Sequence, residues 1–179
     1  MRNCEIKINY GKVVDLFLTL LYNIYVNKGR GIEFIMKRSR EQKYPETATF
    51  KYHNQNPKNR ITGDCAFRAI SLATGKDYNT VVREMAEIQC KTGYALNDKK
   101  GIERYMESIG WIKCKQPRDE FNQKYTGKDF CYKLQDENIL EPIVATIGGH
   151  HIVCIKDGKI NDIWDCSNKC IGNYWKKGN

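Results

Sequence analysis

No stretch of this chain stays apolar for the ~20 residues that a membrane-crossing helix requires. The segment from Val13 to Val26 is apolar except for Asp15, Thr19 and Asn23, but it is only fourteen residues long. That length excludes a span and leaves an amphipathic helix docked on a domain, or an interfacial anchor. The residues after it, Asn27-Lys28-Gly29-Arg30-Gly31, lack the small-residue pattern of a signal-peptide cleavage site. Internal repeats and low-complexity tracts are absent, which excludes solenoids and fibrous assemblies. Histidine is scarce, with three in the chain. Cys154, Cys166 and Cys170 with His150 or His151 offer one C-x₃-C spacing and no second close pair, so the usual zinc patterns do not fit, and no metal or cofactor is expected. Basic residues interleaved with aromatics are also missing, which argues against a nucleic-acid site.

What is present fits a globular chain. Its 179 residues and 20.9 kDa suit one domain, and a mean hydropathy of -0.64 with 28% charged residues belongs to a water-exposed surface. The net charge is +9, but residues 1–43 carry nine Lys and Arg against four Asp and Glu, so more than half the surplus lies in that segment. The eight cysteines are irregularly spaced in a chain too large to need stapling, which points to reduced thiols and a cytoplasmic setting. Residues 1–43 read as an atypical extension and residues 44–179 as the domain. Lys28 to Ile35 can be encoded by a purine-rich stretch resembling a ribosome-binding site, so translation is expected to start at Met36.

From Tyr44 to Asn59 the chain reads as a polar, extended lead-in. Apolar periodicity predicts a helix over 64–74, stopped by Gly75, and a second over 78–90 with Asp77 as its cap. A third is expected from Asn97 or Asp98 to Gly110. Strands are predicted over 111–115, 143–147, 151–155 and 159–164, the last two joined by Lys156-Asp157-Gly158 as a hairpin. Helices first and strands second imply an α+β fold with an antiparallel sheet.

The chemistry centres on Cys65, where the turn Thr62-Gly63-Asp64 runs into the first helix. Unpaired N–H groups and the positive end of a helix favour a thiolate there. Of the histidines, His151 opens a strand and is expected to share a face with Val153 and Ile155 toward that helix; His150 is the alternative, and His53 belongs to the lead-in. Asp165 is the expected orienting acid, with Asp162 the alternative on the opposite strand face. Cys, His and Asp would make a thiol triad. The Cys65 N–H with the Asn59 amide, or less favourably Gln55, would hold an oxyanion.

The order of a helix-start Cys, a hairpin His and a strand Asp resembles the papain-like cysteine peptidase superfamily. In that superfamily a glutamine six residues before the cysteine serves the oxyanion hole, and here Asn59 takes that spacing. Thr62-Gly63-Asp64-Cys65 with Arg68-Ala69-Ile70, then His151 through Asp157-Gly158 to Ser167, and finally Tyr174-Trp175, looks like small papain-like proteins of bacteriophages and their bacterial hosts. Gly63 to Ser71 also resembles the cysteine box of OTU-type deubiquitinases, although Thr62 stands where those enzymes carry aspartate. The resemblance implies a nucleophile helix and further helices on a C-terminal sheet, and hydrolysis of amide or isopeptide bonds in a protein or peptide. The alternatives from other classes are a non-catalytic papain-like protein engaging a host protein, and a basic nucleic-acid-binding protein.

Overall fold

The computed structural model describes residues 39–178. The Val13–Val26 segment and the Met36 start therefore lie outside the described residues. Five helices and six strands follow in chain order: α1 (Arg40–Lys43), β1 (Phe50–Tyr52), α2 (Cys65–Thr74), α3 (Tyr78–Thr92), α4 (Lys99–Ser108), β2 (Trp111–Cys114), α5 (Gly127–Asp136), β3 (Ile143–Ile147), β4 (His151–Lys156), β5 (Lys159–Asp162) and β6 (Ile171–Lys177). Among them, no helix is long and apolar enough to cross a membrane.

The strands form one sheet in the order β1-β5-β4-β3-β6-β2. All neighbours are antiparallel except β1 and β5, which run parallel with Phe50 opposite Ile160. The expectation of a purely antiparallel sheet is corrected at that edge. The supposed lead-in supplies β1, a strand too short to show an alternation of its own. β6 and α5 also fall where no element is expected.

Period-2 geometry sorts the sheet's side chains into two cores. On one face Val144, Ile152, Cys154 and Trp175 pack with Ala66, Ala69 and Ile70 of α2, Val81 and Met85 of α3, and Ile102, Tyr105 and Met106 of α4. On the other, Ala145, Ile147, Val153, Ile155 and Ile160 pack with Phe130, Cys131 and Leu134 of α5. Because helices cover both faces, β3 is buried at all five positions and shows no alternation. The close fit of α5 is set at Gly127, where a Cβ would come within 2.7 Å of Ile160 Cδ1.

Local chemistry explains the helix ends. Gly75 and Gly93 stop α2 and α3 in the left-handed region, at φ 71° and 74°. The Asp77 carboxylate accepts from the Thr80 N–H at 3.0 Å and starts α3. Asp157 and Gly158, at φ 54° and 67°, make the two-residue turn between β4 and β5 that a right-twisted hairpin prefers.

Ile70 is fully buried between α2 and the sheet. Ile70→Ala is expected to cost about 2–5 kcal/mol in urea unfolding, whereas Ile61→Ala, at a half-exposed site, should stay within about 0.5 kcal/mol.

Candidate functional site

The hairpin of β4 and β5 returns the chain so that its open end brings residue 162 back beside residue 151. There the His151 Nε2 hydrogen-bonds Asp162 Oδ2. This bond leaves Nδ1 as the ring nitrogen for a second partner. Cys65, the first residue of α2, has a half-buried sulfur that interacts with the His151 ring and with the Ile152 backbone N–H. The structure thus brings Cys65, His151 and Asp162 together.

Asp162, not Asp165, is the acid beside the histidine. The parity argument that separates the two holds only inside a strand, and β5 ends at Asp162. Past that point the chain turns, and the Asp165 carboxylate accepts from the Ser167 N–H at 2.9 Å. The face assignment of His151 also needs correction. Ile152 and Cys154 face α2, while Val153 and Ile155 face α5. His151 meets Cys65 because it is the first residue of its strand, at the level of the first turn of α2. His150 is exposed in the preceding turn.

The two amides expected at the oxyanion site lie elsewhere. Asn59 is exposed at φ 50°, and its Oδ1 accepts from Asn54 Nδ2 at 3.0 Å. Gln55 is engaged by His53 at 2.7 Å and reaches Ser71 Oγ at 3.5 Å. The backbone donors of α2 fare differently. Asp64 occupies the N-cap but makes no capping hydrogen bond, because its carboxylate is held by Arg68, by Asn56 Nδ2 at 2.7 Å and by the Tyr78 hydroxyl at 2.8 Å. The first N–H groups of the helix stay uncapped beside the thiol.

Two side chains that the sequence reading passes over complete the site. Arg68, 4% exposed, pairs through one nitrogen with Asp64 and through Nη2 with Asp162 Oδ1 at 3.1 Å. Its one visible signal in the sequence is a charge inside the apolar run Ala66 to Ala73, four residues after an aspartate. Trp164 packs on the histidine ring, with centroids 5.3 Å apart and planes at 47°.

The protonation chemistry follows from these contacts. Burial pushes the Cys65 thiol up, but the interaction with His151 and the Ile152 N–H outweigh it, and the thiol settles below its ordinary value despite opposition from Asp162. Burial pulls His151 down, yet the bond to Asp162 and the sulfur raise it to about 9. The two shifts act in one direction, each favouring the charged form of its group beside the other.

His151, Asp162 and Cys166 also offer a nitrogen, an oxygen and a sulfur within 4.8 Å of one another. The set is a poor metal ligand, because the first two are already bonded to each other. Burial and the nearby Asp162 and Asp165 carboxylates push the Cys166 thiol far up. Cys154, buried on the α2 face, and Cys170, exposed, stand apart from this set. Comparison with protein-family models, curated proteins and solved structures returned no match to this chain.

Alkylation of Cys65 by iodoacetamide, followed against pH, should rise with a midpoint below the ~8.5 of a free thiol. In His151→Ala the thiol loses the interaction that lowers it while its burial remains, so the midpoint should move up. Arg68→Met removes the cation between two buried carboxylates and should cost about 3–5 kcal/mol in denaturant unfolding.

Proposed function

We propose that this protein is a cysteine hydrolase of amide bonds, a peptidase or isopeptidase, built on a papain-like arrangement of a nucleophile helix against a sheet. The observation that carries this reading is the His151 ring set between the Asp162 carboxylate and the Cys65 sulfur at an uncapped helix start. Those three groups are a nucleophile, a base and an orienting acid.

In the reaction, the Cys65 thiolate attacks the substrate carbonyl carbon and the carbonyl electron pair moves to oxygen. The Cys65 backbone N–H stabilises that oxyanion. His151, protonated at Nδ1, gives its proton to the leaving amine as the C–N bond breaks, and a thioester remains. Neutral His151 then takes a proton from water, whose oxygen attacks the thioester, and the acid product leaves as the thiol reforms. Asp162 fixes the ring so that Nδ1 faces the sulfur throughout, and Trp164 covers one side of it.

One observation favours a second reading, a non-catalytic binding protein on the same scaffold: the amides of Asn59 and Gln55 are engaged away from the thiol. Digestion of a proteome-derived peptide library, with new termini identified by mass spectrometry, separates the two. Wild-type protein should generate new termini, Cys65→Ala none, and His151→Ala should cleave about 10²–10⁴-fold more slowly. Identical peptide profiles for wild type and Cys65→Ala would exclude the hydrolase.

A further inference from the structure

Asp162 is 3% exposed, and each oxygen of its carboxylate has a partner of its own. Oδ2 meets the His151 ring, and Oδ1 accepts from Arg68 Nη2 at 3.1 Å. A carboxylate gripped at both oxygens loses its freedom to turn. The other end of the guanidinium is occupied by Asp64 Oδ1. Asp64 Oδ2 in turn accepts from Asn56 Nδ2 at 2.7 Å and from the Tyr78 hydroxyl at 2.8 Å. One line of contacts therefore runs from the lead-in and α3, through the start of α2, to the acid beside the histidine.

That line holds a competition. Two buried carboxylates share one cation, so whatever charge of Asp64 is met elsewhere leaves more of the guanidinium for Asp162. Asn56 and Tyr78 meet it with neutral donors. The Tyr78 ring packs edge-on against Phe67, with centroids 6.2 Å apart, and that contact does not need the hydroxyl. Few other groups face the triad. Cys65 of α2 and Cys166 after β5 lie beside the His151 ring with Trp164, and the His53 backbone N–H donates to the Asp162 carbonyl at 2.9 Å. Besides the histidine, Arg68 is the one basic side chain paired with Asp162 among the described residues.

We propose that Arg68 is a positioning residue of the triad, which aims Asp162 Oδ2 at His151 and shares the charge of the carboxylate, and that Asp64, Asn56 and Tyr78 set how much of Arg68 is given to that task. The proposal rests on the hydrolase reading and adds to it a control on the acid. Its sign is fixed by Coulomb's law. The more of Arg68 that answers Asp162, the less Asp162 opposes a thiolate at Cys65, and the lower the pH at which that thiolate forms.

Variants of the full chain test this, read by the pH midpoint of Cys65 alkylation with iodoacetamide and by the proton resonance of the His151–Asp162 hydrogen bond. Tyr78→Phe keeps the ring and takes one donor from Asp64, which then draws Arg68 away from Asp162, so the midpoint should rise by about 0.4 pH unit. Asp64→Asn frees Arg68 for Asp162 and should lower the midpoint. With Asn at 64 the tyrosine has no carboxylate to serve, and adding Tyr78→Phe to Asp64→Asn should shift nothing further. Arg68→Lys keeps a cation but loses the fork, so the resonance should move upfield and kcat for peptide cleavage should fall about tenfold with KM unchanged. A merely structural role would lower the urea midpoint of unfolding and leave the alkylation midpoint and the resonance as in wild type, which would overturn the proposal. So would an equal shift from Tyr78→Phe with and without Asp64, since the hydroxyl would then act without Arg68. Absence of peptide cleavage by wild type would remove the hydrolase alone, and the alkylation midpoint and the resonance would still decide the part of Arg68.

Discussion

The guanidinium of Arg68 is the contact on which the rest of the site depends. It sits inside the protein between two carboxylates, one on the residue that begins its own helix and one at the end of β5. Buried carboxylates are tolerated only when paired, so Asp64 and Asp162 each require this cation. A planar fork with several fixed donors can serve both at once, which an ammonium group does less well. The result is a direct tie between the helix that carries the sulfur and the strand that carries the acid. The tie has a second effect at the helix start. Asp64 would ordinarily fold back onto the first-turn N–H groups, and Arg68 draws it away from them.

Those vacated donors matter because the site is only partly wet. The sulfur and the imidazole are both half-buried, and burial opposes charge on each. Each charged form is the other's counter-charge, in surroundings where such interactions are less screened than in water, and this offsets the cost of burial. Asp162 plays a divided part, supporting the imidazolium while opposing the thiolate. Its pairing with Arg68 tempers that opposition, since part of its charge is answered on the side away from the sulfur.

Much of the fold is legible along the chain where local signals are strong. The glycine stop after Thr74, the Asp77 cap and the Asp157-Gly158 turn place the end of α2, the start of α3 and the β4–β5 hairpin to within a few residues. β1 is invisible because its three residues gain their strand character only by pairing with β5 across more than a hundred residues. α5 hides behind Gly127, which looks like a helix breaker and in fact permits close packing. In the site, Cys65 and His151 are legible from their positions at element starts. The acid is not, because choosing between Asp162 and Asp165 requires knowing where the strand ends, and that is fixed by β1 and β4 rather than by residues 159–165. Asn59 shows the limit of spacing as a guide: its distance along the chain suits an oxyanion donor, but its left-handed backbone turns it to solvent.

The ion pair between Arg68 and Asp162 spans 94 residues of sequence. The imidazole and the acid beside Cys65 therefore come late in the chain, from a hairpin made long after the helix. Until β4 and β5 dock, Cys65 is an ordinary thiol on a marginal ten-residue helix. The lowering of this thiol is thus a property of the tertiary structure: a nascent, misfolded or partly unfolded copy carries Cys65 without it.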